Sequence, residues 1–311
     1  MHDRHDTRSG IAAGIAAYLV WGVLPVYFHH LSDANPLEVL CFRIVLTFVV
    51  TAVALQLTGQ WRLVREAWRT PGLLGRTTLA AVAISLNWSV YIWAAGHGHV
   101  VDAALGYFIN PVVSVAIGVL VLGERLRPLQ TAAVGLGVLA VIVLTIAYGK
   151  PPWISLLLAG TFAYYGYLKK AIPLPALPAL CVETSVVLVP ALICFTVLGV
   201  GGHLTIGHLA GDKVALLFCA GFVTAIPLVL FGVAAQRVPL SLVGLLQYLT
   251  PVMQMLLGVA FFHEHVPIER WIGFGIVWCA LVLLLSDALA VGRASRIAVR
   301  TGTSGPARVT S

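Results

Sequence analysis

The sequence predicts an all-α integral membrane protein of ten transmembrane helices, arranged as two inverted five-helix repeats. Three observations carry this: a composition too apolar for water, ten uncharged stretches of spanning length, and a self-match at one fixed offset. Of 311 residues, 59% are hydrophobic and 10% charged, with a mean hydropathy of +0.96. Soluble domains carry about a quarter charged residues. So few charges do not cover a soluble surface, whereas lipid supplies the water-free neighbours that apolar side chains need. The net charge of +7 does not point to nucleic acid, because the cations sit in short loops between apolar runs rather than on an aromatic-rich face. The five cysteines, Cys41, Cys181, Cys194, Cys219 and Cys279, lie inside apolar segments without metal-ligand spacing. They read as small core residues, with no metal and no disulfide framework.

Spanning candidates fall at 10–30, 37–59, 77–96, 103–122, 129–148, 153–172, 179–200, 213–236, 240–262 and 270–290. Each is about 20 residues long, enough for a ~30 Å hydrocarbon core, and backbone in lipid must satisfy its own hydrogen bonds as helix. The first follows a mixed His/Arg/Asp segment and reads as a spanning helix rather than a cleaved signal. Between the second and third, Trp61–Arg69 alternates bulky apolar and basic residues; it reads equally as a short interfacial helix or a plain basic loop. Residues 291–311, rich in Thr, Ser, Gly and Arg, predict a disordered cytoplasmic tail. With the N-terminus in the cytoplasm, fifteen of the nineteen Lys and Arg fall inside, and Lys150, Lys213 and Arg270 fall outside. That split follows the positive-inside rule and predicts both termini on the cytoplasmic side of the membrane.

Shifted by 140 residues, the chain matches itself best in the last two spans of each half. Leu105 meets Leu245, Pro111 meets Pro251, Gly118 meets Gly258, Glu124 meets Glu264 and Gly135 meets Gly275. The repeats are residues 1–148 and 149–290. Five crossings per repeat make the second enter inverted, with Glu124 at the inner face and Glu264 at the outer. Inverted repeats recur in transporters that hold substrate near the midplane between halves; a duplicated scaffold without transport is the plainer alternative.

In the fourth span Tyr107, Asn110, Pro111, Ser114 and Gly118 recur on one helix face, and Gln247, Thr250, Pro251, Gln254 and Gly258 answer them in the ninth. A polar stripe facing lipid is costly, so these faces meet protein or a water-filled cavity. Tyr107, Asn110, Gln247 and Gln254 favour the cavity; the glycines favour tight helix packing. Pro25, Pro111, Pro227 and Pro251 predict helix kinks whose freed carbonyls a cavity can satisfy. Asn87, Trp88 and Tyr91, with Trp21, Tyr164, Tyr165 and Tyr248, complete the candidate binding set. Deep aromatic rings can stack on a planar or cationic solute or merely pack.

Arg43 and Glu183 match at the 140-residue offset. Inversion separates them by ~12–18 Å in depth, too far to pair. They read as a charge at each mouth of a pathway, or as groups snorkelling to nearer headgroups. Eight outward histidines, scattered over four loops, read as solvated rather than as a metal site. There is no phosphate-binding G-x-x-x-x-G-K-[ST] loop and no Ser/His/Asp or H-E-x-x-H arrangement, so neither ATP hydrolysis nor another enzymatic activity, nor any cofactor, is expected.

Trp21-Gly22, Arg43, Leu105-Gly106-Tyr107-Phe108-Ile109-Asn110-Pro111, Leu122-Gly123-Glu124-Arg125, Tyr165-Gly166 with Lys169-Lys170, Glu183-Thr184, Pro227-Leu228 and Gln247-Tyr248 before Pro251 resemble the RarD group. That group sits in the EamA-type branch of the drug/metabolite transporter superfamily. His263 stands where the group carries a small residue or glycine. The resemblance implies ten helices around a central cavity, and a plasma-membrane permease or exporter of small metabolites or drugs. The expected function is secondary transport by alternating access, with the lipid bilayer and a small-molecule substrate as partners. Glu183 is the intramembrane carboxylate able to carry a coupling proton. An uncoupled facilitator or exchanger fits as well, and a non-transporting scaffold is the alternative class.

Overall fold

Apolar runs punctuated by proline and glycine fold as helix, and among the described residues there is no strand. The computed structural model describes residues 2–97, 99–148 and 153–260, and beyond these 271, 272, 275, 276, 278–280, 282, 283 and 286. The tenth predicted span is therefore seen only at scattered helical positions. Lys150, His263, Glu264, His265, Arg270 and the tail at 291–311 lie outside the described residues.

The first half holds α1 (His2–His30), α2 (Pro36–Thr58), α3 (Trp61–Arg69), α4 (Pro71–Gly96), α5 (Val100–Leu120) and α6 (Pro128–Tyr148). Local chemistry sets the ends. Asn35 caps α2 by accepting from the Leu37 N–H at 3.0 Å, Pro36 follows it, and Gly59 ends the helix at φ +68°. These are the start and stop devices that satisfy orphan backbone groups. The basic segment forms α3, the helical alternative. Val64 and Ala67 are buried, Arg62, Arg65 and Arg69 are exposed, and Arg62 pairs with Glu66 one turn on.

The second half holds α7 (Trp153–Ala171), α8 (Ala176–Val200), a single 3₁₀ turn (Ile206–His208), α9 (Gly211–Arg237), α10 (Leu240–Leu246) and α11 (Leu249–Ala260). The ninth predicted span is thus two helices, not one, with the break at Gln247-Tyr248. Pro251 has no N–H to donate to the Gln247 carbonyl and disfavours helical geometry at Thr250. The chain tightens instead: Gln247, Tyr248 and Thr250 each donate to the carbonyl three residues back, at 3.1–3.3 Å. Pro25, Pro111 and Pro227 lie within helices that continue past them.

Among the described residues, five helices are long and apolar enough to cross a membrane: Asp6–His30, Pro36–Thr58, Pro71–Ala94, Ala176–Val200 and Gly211–Arg237. Gly106–Leu120 and Pro128–Val143 are shorter apolar stretches. Their outer faces are apolar too, with Leu57, Leu120 and Val200 almost fully exposed. An apolar outer surface of this kind requires lipid rather than water.

The main helix contacts run between the halves: α5 on α7, α1 on α9, α2 on α8 and α9, α4 on α7 and α8, α10 on α5, and α11 on α1. Acyl chains are as apolar as leucine, so such contacts rest on close packing and interhelical hydrogen bonds. A Cβ on Gly221 of α9 would stand 2.6 Å from the Leu46 carbonyl oxygen of α2. On α1, a Cβ at Gly22 would meet Met253 Cβ at 2.5 Å. Glycine is what lets these backbones approach. The largest buried cluster, around Tyr18, Tyr165, Leu180 and Phe231, joins α1, α7, α8 and α9.

Candidate functional site

Where the two halves meet, the helices leave a cavity of about 400 Å³. Trp21 and Pro25 enter from α1, Arg43 from α2, Asn87, Trp88 and Tyr91 from α4, and Tyr107 and Asn110 from α5. The second half contributes Phe162 from α7, Thr224 and Leu228 from α9, Gln247 from the break, and Thr250, Pro251 and Gln254 from α11.

Arg43 supplies the cavity's permanent charge. Its Nε donates to Thr224 Oγ1 at 3.1 Å, and its guanidinium lies 4.5 Å from the Trp88 ring and 5.4 Å from that of Phe28. Such ring faces attract a cation, more strongly when water is excluded. Among the described residues no carboxylate lines the cavity or pairs with Arg43. Asn87 is spent on structure, its amide donating to the Leu158 carbonyl and Thr161 Oγ1 of α7. Thr250 Oγ1 donates to the Tyr18 carbonyl, joining α11 to α1. Trp21 packs between Tyr18, Phe162 and Phe231 at ring separations of 5.6 Å. In contrast, the amide oxygens of Asn110 and Gln247 and the Tyr18 hydroxyl are buried without a hydrogen-bond partner.

Other members of the expected binding set lie elsewhere. Ser114 is buried where Gly244 of α10 presses on α5, so it belongs to helix packing. Tyr164 faces outward and stacks on Tyr167. Tyr248 points away from the cavity toward Gly137 of α6. Tyr165 donates to Glu183 Oε2 at 3.0 Å, and Lys169 Nζ holds Glu183 Oε1 at 2.7 Å. This pair is fully enclosed, with side-chain exposures of 0% and 2%, and lies outside the cavity wall. Arg43 and Glu183 are therefore not partners. Lys169, counted from sequence among the inside cations at the end of the 153–172 span, is buried instead, with Glu183 compensating its charge.

The sequence reading passed over Tyr18, Phe28, His29, Ile84, Phe162, Thr224 and Leu228, all in the cavity wall. The repeat offset holds the missing signal for three of them. Ile84 matches Thr224 and Trp88 matches Leu228, as Tyr107 matches Gln247 and Asn110 matches Thr250, and all eight line the cavity. A lone Phe162 or Tyr18 in an apolar helix carries no such mark.

Two carboxylates of the first half clamp backbone of the second. Glu38 accepts from Thr205 N–H at 2.7 Å, from its hydroxyl at 2.6 Å and from Ile206 N–H at 3.2 Å. Glu124 accepts from Leu240 N–H at 2.7 Å and Ser241 N–H at 2.8 Å, the first amides of α10.

A sequence model described as "EamA-like transporter family" matches the chain twice, over residues 8–146 and 151–286. The chain belongs to the EamA-like transporter family. It is a multi-pass membrane protein of the RarD type, in a family of membrane transporters. "Protein RarD" of Streptomyces exfoliatus is 50% identical over 95% of this chain and 94% of its own length. "Uncharacterized transporter YojE" of Bacillus subtilis is 37% identical over 94% of this chain and 98% of its own. "Chloramphenicol-sensitive protein RarD" of Pseudomonas aeruginosa is 30% identical over 88% and 92%. A solved crystal structure, 18% identical, superposes with a TM-score of 0.65 over 91% of this chain and 96% of that one, a likeness of fold.

Proposed function

We propose that this EamA-family protein is a secondary transporter that moves small organic solutes by alternating access between two inverted five-helix repeats. The observation that carries the proposal is the cavity: its wall is drawn from both halves, and residues paired by the 140-residue offset line it together. Discontinuous helices at a repeat interface are a recurring way to hold substrate in such proteins, and the α10–α11 break lies in this wall. Two features support the repeat. The family model matches each half separately. The helix contacts also map onto themselves when the halves are exchanged: α1 on α9 becomes α7 on α4, and α2 on α9 becomes α8 on α4. A two-fold relation between five-crossing units inverts one of them. The reading includes ten spans, with both termini in the cytoplasm of a plasma membrane.

Substrate meets Trp21, Trp88, Tyr91, Tyr107, Asn110, Gln247, Thr250 and Gln254 in this reading. Glu183 is held by Lys169 and Tyr165 outside the cavity, which favours facilitation or exchange over proton coupling through that residue. The test is flux. Metabolite profiles inside and outside cells with and without the protein nominate solutes, and proteoliposomes then carry or do not carry them. Absence of flux for every nominated solute refutes transport and leaves a scaffold. Faster flux in a pH gradient refutes the uncoupled form.

A further inference from the structure

The substrate class can be read from what the cavity leaves unsatisfied. We infer that the cavity takes planar organic acids: solutes with a carboxylate and a flat apolar body. This rests on the reading of the cavity as the transport site.

The charge comes first. Arg43 uses Nε on Thr224, and no carboxylate among the described residues pairs with it. An arginine within the membrane costs about 2.5–3.5 kcal/mol on insertion scales, so such residues are normally paired or serve function. The two terminal nitrogens of a guanidinium form a fork that matches a carboxylate. The Trp88 and Phe28 rings hold the group in place without neutralising it, so an anion remains the favourable partner. A cationic solute would face Arg43 with no counter-charge in the wall.

The walls come second. Trp21, Phe162 and Trp88 bring aromatic rings into the cavity wall, and such walls favour a ring in the solute.

The experiment uses matched acids and amides with the full-length chain in lipid nanodiscs. Equilibrium dialysis compares indole-3-acetate with indole-3-acetamide, 4-hydroxyphenylacetate with its amide, and hippurate with hippuramide, up to millimolar concentrations. Each pair differs in charge at nearly constant shape. At least one acid binds about tenfold or more tightly than its amide, as a hydrogen-bonded charge implies. Arg43→Gln brings the acid down to the affinity of its amide, and Arg43→Lys keeps part of the preference. Equal binding of acid and amide, or no acid binding at all, overturns the inference, and the wild-type ratio decides even where a variant fails to fold. Acid binding without flux refutes transport but not the substrate class. Flux of neutral or cationic solutes with no acid binding does the reverse.

Discussion

Replacing Glu183 by Gln tests whether the buried Lys169–Glu183 pair is a structural strut of this transporter or part of its pathway. Gln keeps the volume and one acceptor for Tyr165 but removes the charge that compensates Lys169. The ammonium, with 0% side-chain exposure and its 2.7 Å partner gone, would sit unpaired between α7 and α8. Breaking such a pair costs about 3–5 kcal/mol, whereas replacing both charges together is often neutral or stabilising. Lys169→Met should cost the same, because it strands the carboxylate. The double variant Lys169→Met, Glu183→Gln should recover most of the loss, giving a coupling of at least about 3 kcal/mol in a double-mutant cycle. Reversible unfolding in mixed micelles, followed by circular dichroism, reads these energies. Additive single costs, or a Glu183→Gln cost below about 1 kcal/mol, would refute the strut. A double variant that folds with wild-type stability yet carries no solute would restore Glu183 to the pathway.

Three further outcomes follow from packing and charge. Glu124→Ala strips the acceptor from the first two amides of α10, a loss of about 1.5–3 kcal/mol per charge-assisted bond, and Gly118→Ala should mimic it, since its Cβ would stand 2.6 Å from Glu124 Oε2; thermal unfolding of both checks this. Gly221→Ala must push α9 off the α2 backbone, costing about 1–3 kcal/mol, while Gly160→Ala, with nothing within 4 Å of its Cβ, should be neutral or slightly stabilising in the same assay. The Lys213 ammonium beside Asp33 holds that exposed carboxyl below its ordinary value; a lowered carboxyl stabilises above the unfolded pKa of about 3.9 and loses that as pH falls through the folded one, so Asp33→Asn should flatten the acid limb of stability below about pH 5.

The helices could be read from sequence because lipid leaves the backbone no alternative, so hydropathy alone marks where they lie. The helix α3 was half visible, since alternating Trp and Arg suits a helix or a loop until Val64 and Ala67 are seen buried. The cavity showed wherever polarity recurred in both halves, as at Tyr107 with Gln247 and Asn110 with Thr250. One turn further the same stripe misled: Ser114 meets Gly244 rather than space. Tyr164, Tyr165 and Tyr167 look alike in sequence, yet each step of a helix turns about 100°, sending one outward and one to Glu183. Lys169 was hidden for another reason. A lysine near the end of an apolar run reads as a cation at the inner face, and only the position of Glu183 across the Pro173–Pro175 turn shows what compensates it. The ninth span hid its break because Pro251 had a counterpart, Pro111, in a helix that stays whole.

The two carboxylate clamps bear on how the halves move. In the proposed topology three crossings, α2, α4 and α5, separate Glu38 from Glu124, an odd number that sets the residues at opposite faces of the bundle. Each comes from the first half and grips backbone of the second. The cavity wall includes Phe28 and His29, at the α1 end nearest Glu38, and Tyr18 and Thr250 are joined further toward Glu124. In the proposed orientation the cavity thus leans to the outer face, and Glu124 pins the inner one. Glu38 holds the loop at 205–206, beyond the end of α8, and need not release for α10 to move. Glu124 holds the helix start that leads directly to Gln247, so opening the inner face must break its two bonds to α10. Alternating access therefore has a definite cost at one carboxylate, and Glu124→Gln, which keeps the size but not the charge, should ease inward opening while the outer clamp stays whole.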